Sequence, residues 1–379
     1  MSMKPFDKPV YVTKPFLPPL EEYAAGLRAI WDSAWLTNGG PVLEQYLRAL
    51  EEFLDHRNLC LFVNGTLALQ IALDGLQLKG EVITTPFTFV ATAHAAVWNR
   101  LRPVFADIEP EHYTLDPAAV EAAITPDTSA ILAVHVFGHP CRLAALADIA
   151  RRHRLKLVYD AAHAFGVRVQ GRSMAHFGDV TMFSFHATKP YHSIEGGLLA
   201  SVDPGLKNTF NQLKNFGIVS ETEIVGLGTN AKMNEFQALM GLKNLSHMGA
   251  IIAGRARAAQ VYRERLSGAP GLRLTPPLPE DCEANHAYQP VEIVDGESRL
   301  SRDEVYEGLK KYNVFARRYF HPLLTDCSTY RAARRGSELP VARRVARQIL
   351  TLPIYHDLPV ESAHRISDMV IHLAAGNPG

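Results

Sequence analysis

The stretches LKLVYDAAHAFG (155–166) and VTMFSFHATKP (180–190) decide how this chain is read. Each begins as a largely apolar run rich in β-branched and aromatic residues and stops abruptly at polar or small ones. That is the pattern of a strand buried on both faces that emerges at the edge of a sheet. Working outward, CLFV (60–63), EVIT (81–84), PVFA (103–106) and AILAVHVF (130–137) repeat it, separated by helical periodicities. Strands alternating with helices predict an α/β fold, a mostly parallel central sheet with helices on both faces. Upstream, Tyr23, Leu27, Ile30, Trp31 and Ala34 recur at helical spacing, a turn-like TNGGP (37–41) follows, and a second amphipathic helix is expected over 43–54. Downstream of a long helical stretch at 231–266, the prolines Pro276, Pro277 and Pro279 and the strand-like YQPVEIV (288–294) mark a change of pattern. The expected organisation is a large domain over residues 1–250 and a smaller C-terminal α/β domain over 251–379.

With 379 residues, 47% of them hydrophobic and 21% charged, the chain is long enough to bury both cores. Lys+Arg and Asp+Glu are both 39, so the basic surplus that drives counterion release is missing, and no nucleic-acid partner is expected. Cys60, Cys141, Cys282 and Cys327 are scattered, without a CxxC pair or zinc-type spacing, as in a reduced protein without a structural metal. The N-terminus MSMKPFDKPVYVTKPFLPPL has prolines where a signal peptide needs an apolar run, and no stretch reaches the length of a membrane span. A cytoplasmic location with no membrane partner is therefore expected.

Three segments carry polar or small residues directly after a strand, where open α/β sheets bind ligands: NGT (64–66), DAAHAFG (160–166) and SFHATK (184–189). Gly65 and Thr66 open a helix whose apolar positions are Leu69, Leu73 and Leu76, and offer N–H groups and a hydroxyl to a phosphate. The competing role is a plain helix cap. Asp160 at the end of its strand is partly desolvated and wants a cation, although a turn or cap aspartate looks the same in sequence. His163 reads equally as an ordinary half-buried histidine. Lys189 follows a strand and precedes Pro190, which turns it away from helical geometry; a desolvated lysine there has a lowered pKa suited to Schiff-base chemistry, whereas most lysines are solvated. A phosphate cradle, a carboxylate for a ring nitrogen and an amine for an aldehyde are together what pyridoxal phosphate requires.

The blocks WLTNGGP, FVNGTLALQIAL, ITTPFTFVATAHA, VFADIEP, VYDAAHAFG, MFSFHATKPYHSIEGG, KNFGI and GTNAKMNEFQALMGL run in that order from Trp35 to Leu242, followed by HPL (321–323) and LTLPIYHDL (350–358). They resemble the signature blocks of the DegT/DnrJ/EryC1/StrS sugar aminotransferases over nearly the whole chain, and SFHATK followed by EGG is the most specific. The resemblance implies a fold-type I aminotransferase that uses pyridoxal 5'-phosphate, with pyridoxamine 5'-phosphate between its half-reactions. It implies that Lys189 forms the Schiff base and moves protons, that Asp160 keeps the pyridine nitrogen protonated, and that His163 lies against the phenolic oxygen. Phe89 would stack on the ring, or else simply pack in the core. Gly65, Thr66 and Ser184 would hold the phosphate. Asn230, in GTNAK, would reach the phosphate from a second subunit, giving a homodimer with shared sites; a cap on its own helix is the alternative. The run PYHS (190–193) departs from the family's commoner residues and is expected near the substrate.

The activity so implied is transamination of a nucleotide-linked keto sugar with L-glutamate as donor, in deoxyamino-sugar and glycan biosynthesis. VYVTKPFLPPLEEYAAGL (10–27) and DAAHAFG resemble enzymes that aminate C4 of dTDP-4-keto-6-deoxy-D-glucose to give dTDP-4-amino-4,6-dideoxy-D-glucose. A C3 aminotransferase acting on a 3-keto sugar would share the cofactor residues. A sugar dehydratase using pyridoxamine phosphate would carry histidine at Lys189, and a non-catalytic binding protein would have lost Lys189 or Asp160. A nicotinamide-dependent epimerase would need an early GxGxxG after a strand; none is present, nor is a GxxxxGK[ST] loop, an HExxH pair or a GxSxG elbow.

Overall fold

The computed structural model describes residues 3–333 and 338–376. The apolar runs become β1 (Leu59–Phe62), β2 (Glu81–Thr84), β3 (Arg102–Phe105), β4 (Thr128–Val134), β5 (Lys156–Asp160) and β6 (Val180–Ser184); with β7 (Gly197–Ser201) they form a seven-stranded sheet ordered β1-β7-β6-β5-β4-β2-β3. β7 is antiparallel to both its neighbours and every other pair is parallel. β2 is buried at all four positions, because helices cover both faces of the sheet and Val, Ile and Thr fit such a surface. β7 is the strand of this sheet that the apolar pattern does not mark. Its first residue has to be glycine: a Cβ on Gly197 would stand 2.5 Å from the Asn64 carbonyl oxygen, so only glycine lets β7 close against that turn.

The helical stretch at 231–266 is two helices, Glu235–Ser246 and Met248–Leu266, broken at His247. Asn234 caps the first with a reciprocal box to Gln237, so the capping alternative for Asn230 does not hold. Glu235 is buried and its carboxylate accepts from the N–H groups of Val42 and Leu43, which fixes the start of the helix Pro41–Leu54.

The C-terminal part carries an antiparallel sheet of β8 (Leu272–Arg273), β9 (Gln289–Ile293) and β10 (Ile349–Leu352), in that order. Its core includes Tyr262, Val291, Leu309, Leu350 and Ile366, and also Phe6 and Val10 from the start of the chain. Val10 pairs in parallel with Val314. We propose a domain boundary near residue 250, with this N-terminal segment packed onto the smaller unit. Among the described residues, no helix is long and apolar enough to cross a membrane.

One expectation is corrected. PYHS does not line the ligand cavity: Tyr191, His192 and Ser193 are buried, and the Tyr191 hydroxyl donates to the Gly241 carbonyl and meets the Tyr46 hydroxyl at 2.7 Å. An apolar ring and two tertiary hydrogen bonds draw this run into the core.

Candidate active site

At the carboxyl edge of the sheet, parallel pairing sets Asp160 of β5 opposite Met182 of β6, two residues before Ser184. A cavity of about 290 Å³ opens there, lined by Gly65, Thr66, Phe89, Asp160, His163, Ser184 and Lys189. Seven of the eight residues singled out in sequence thus meet in one place. Asn230 is not among them: it lies exposed, bridged to Asn215, next to a hairpin of exposed apolar residues.

Gly65 begins the helix Gly65–Gly75, and the cap is the preceding Asn64, whose side chain accepts from the Leu67 N–H. Capping therefore falls to Asn64, and helix geometry leaves the first N–H groups directed at the cavity. A Cβ on Gly65 would come within 3.1 Å of the Ser184 Cβ, so a glycine brings this turn against the end of β6.

The Asp160 carboxylate is buried, with one oxygen accepting from the Ala162 N–H at 3.0 Å and the other from the Thr92 hydroxyl at 2.8 Å. Burial raises its pKa, while those two donors and the charge of Lys189 pull it down. Lys189 is shifted the opposite way: burial of its amine lowers the pKa, and Tyr319 and Asp160 partly restore it. Its Nζ lies 3.5 Å from the Tyr288 hydroxyl. His163 accepts the Phe137 N–H on Nδ1 at 3.1 Å, which leaves Nε2 as the protonated nitrogen, and burial keeps the ring uncharged. Phe89 is 59% exposed, so simple core packing does not describe it; its ring is free to cover a ligand.

Sequence reasoning missed Thr92, Tyr288, Arg317, Tyr319 and Phe320, which also line the cavity. Thr92 was visible only as one residue of the family block ITTPFTFVATAHA. The other four come from the C-terminal part and reach the site through tertiary packing, which no local pattern announces. The donor set suits a phosphorylated pyridine aldehyde: N–H groups and hydroxyls for the phosphate, a buried carboxylate for a cationic ring nitrogen, and an amine of lowered pKa for the aldehyde.

An amine reacts only when unprotonated, so the lowered pKa makes Lys189 reactive at a pH where surface lysines remain protonated. In the cofactor-free protein, trinitrobenzenesulfonate should modify Lys189 with a pH midpoint below 10.5, the ordinary lysine value. Asp160→Asn removes a charge that raises the Lys189 pKa and should move that midpoint lower still. Peptide mapping across a pH series decides this; a midpoint at or above the ordinary value, or an upward move in the variant, contradicts the assigned electrostatics.

The DegT/DnrJ/EryC1/StrS aminotransferase family model matches residues 20–371. The chain is 44% identical to a dTDP-4-amino-4,6-dideoxy-D-glucose transaminase of Shigella dysenteriae, covering 93% of this chain and 95% of the relative. It is 42% identical to a transaminase of the same name from Escherichia coli, over 96% and 99% of the two chains. A crystal structure of DesI in the presence of its TDP-sugar product superposes with a TM-score of 0.93 at 36% identity, covering 99% of this chain and 95% of that one. With its sheet order, its cavity and these matches over nearly its whole length, the chain belongs to the DegT/DnrJ/EryC1/StrS aminotransferase family.

Proposed function

We propose that this protein transfers the amino group of L-glutamate to C4 of dTDP-4-keto-6-deoxy-D-glucose, using pyridoxal phosphate, and releases dTDP-4-amino-4,6-dideoxy-D-glucose. The observation that carries the reading is the convergence of Lys189 and Asp160 on one cavity beside the N-terminus of the helix Gly65–Gly75. The specific sugar is taken from the two relatives above 40% identity. All four cysteines are free thiols, which supports a reducing compartment such as the cytoplasm.

Bound in this cavity, pyridoxal phosphate supplies an electron sink for the carbanion formed at the donor carbon. Lys189, whose burial lowers its pKa and so eases the loss of its proton, is the group that would carry the cofactor, take the proton from the donor carbon and return it on the other side of the transfer. Asp160 would hold the pyridine nitrogen protonated, a fixed charge that would stabilise the transition state. His163 would offer Nε2–H to the phenolic oxygen. Gly65, Thr66 and Ser184 would hold the phosphate, and Phe89 would cover the ring.

A homodimer completes the site. Beside Asn230, the hairpin of Ile218–Ser220 and Glu223–Ile224 and the loop after it expose Val219, Ile224, Val225 and Leu227, the last at 93%. Exposed apolar side chains in a row are what a second copy would cover. Asn230 would then serve the partner's phosphate site.

Purified protein incubated with glutamate, pyridoxal phosphate and a panel of nucleotide keto sugars should form the 4-amino product, identified by mass and NMR. Asp160→Asn should slow both half-reactions about a hundredfold, about 2.7 kcal/mol in the barrier. Amination at C3, or of no nucleotide sugar at all, removes the assignment.

Mixing tests the shared site. Lys189→Ala is impaired in chemistry and Asn230→Ala in cofactor affinity. Refolded together, they form heterodimers in which one site carries both lesions and the other neither. Under limiting cofactor, activity should return toward half the wild-type value per heterodimer. Heterodimers that form without regaining activity show that Asn230 does not serve its neighbour.

A further inference from the structure

Thr92 belongs to the helix Val90–Trp98 and is 1% exposed, yet it lines the cavity. Its Oγ1 lies 2.8 Å from one oxygen of Asp160 and donates to it. Thr88, one turn earlier and also buried, places its hydroxyl 3.0 Å from the Thr92 oxygen. A hydroxyl has one proton to give, and that of Thr92 goes to the carboxylate; Thr88 must therefore donate to Thr92. Two hydroxyls in series, each polarised by the next, point their protons at a single buried oxygen. The other Asp160 oxygen is held by the Ala162 N–H, so the plane of the carboxylate is fixed from both sides.

We propose that Thr92, backed by Thr88, is a positioning residue of the transamination site, which holds Asp160 charged and aimed at the ring nitrogen of the cofactor. This rests on the functional reading above, since it gives Asp160 its cationic partner. Hydrogen bonds to the charged form favour it, and in a buried site they count for more than in water. Burial alone would favour the protonated acid, in which the chain of hydroxyls reverses: Asp160 would donate to Thr92, and Thr92 to Thr88. The protonated acid carries no charge with which to hold a pyridinium. The neighbouring titratable groups do not replace the hydroxyls. Lys189 contributes a favourable charge across the cavity, while burial keeps His163 and Cys141 neutral.

The test uses the full chain carrying ¹³C-labelled aspartate, titrated by NMR before cofactor is added, with Asp160→Asn identifying the signal. Thr92→Val keeps the shape and removes the hydroxyl; it should raise the pH at which Asp160 takes up a proton. Thr88→Val should raise it by less, and Thr92→Ser should restore the wild-type midpoint. In the loaded enzyme Thr92→Val should lower kcat about tenfold while leaving KM for the sugar unchanged, since the hydroxyl meets the carboxylate rather than the substrate. A midpoint that stays put or falls in Thr92→Val, or a serine variant that behaves like valine, overturns the proposal. A wild-type protein that takes up no pyridoxal phosphate overturns the functional reading instead, and the titration still decides whether the hydroxyls govern Asp160.

Discussion

An acid and an amine, Asp160 and Lys189, are both desolvated beside one cavity, and the site depends on this. Desolvation acts on Asp160 and Lys189 in opposite senses, raising the pKa of the acid and lowering that of the amine, while their mutual attraction opposes both shifts. Neither is paired directly with the other: the carboxylate is held by Thr92 and Ala162, and the amine stands near Tyr288. A carboxylate ready for a cation and an amine ready for a carbonyl are thereby kept apart and available. On the proposed function, pyridoxal phosphate would satisfy both at once, with its third anchor at the start of the helix Gly65–Gly75.

The architecture explains how residues far apart in sequence reach this arrangement. β5 and β6 are parallel neighbours, so Asp160 and the segment from Ser184 to Lys189 leave the sheet at the same edge. β1 reaches that edge through β7, and Gly197 permits the Asn64 turn to lie against it. The C-terminal part of the chain supplies Tyr288, Arg317, Tyr319 and Phe320 to the cavity wall. On the proposed function, substrate would meet the cofactor residues on one side and these aromatic and cationic side chains on the other, the usual place for a ligand in an α/β enzyme.

Much of this was legible in sequence, for physical reasons that differ by element. EVIT is a strand over the four residues expected, because a fully buried strand needs nothing beyond its own apolar run. Asp160, Lys189 and Ser184 were visible because strand ends are marked by an abrupt change of polarity. β7 was not, since GLLAS opens on a glycine and its place is decided by that glycine's contact with a distant turn. The break at His247 was hidden inside a continuous helical periodicity. The burial of PYHS and the docking of Phe6 and Val10 on the smaller unit are tertiary facts, and so is the contact of Thr92 with Asp160. Asn230 was recognisable only through its family block, and its exposure within one chain fits a role that a second chain would complete.

The identity of the lysine that carries the cofactor bears most directly on the central claim. Protein loaded with pyridoxal phosphate and reduced with borohydride should retain the label after denaturation, and peptide mapping should place it on Lys189, with no label in Lys189→Ala. Label fixed on any other lysine, or undiminished labelling in Lys189→Ala, would contradict the account.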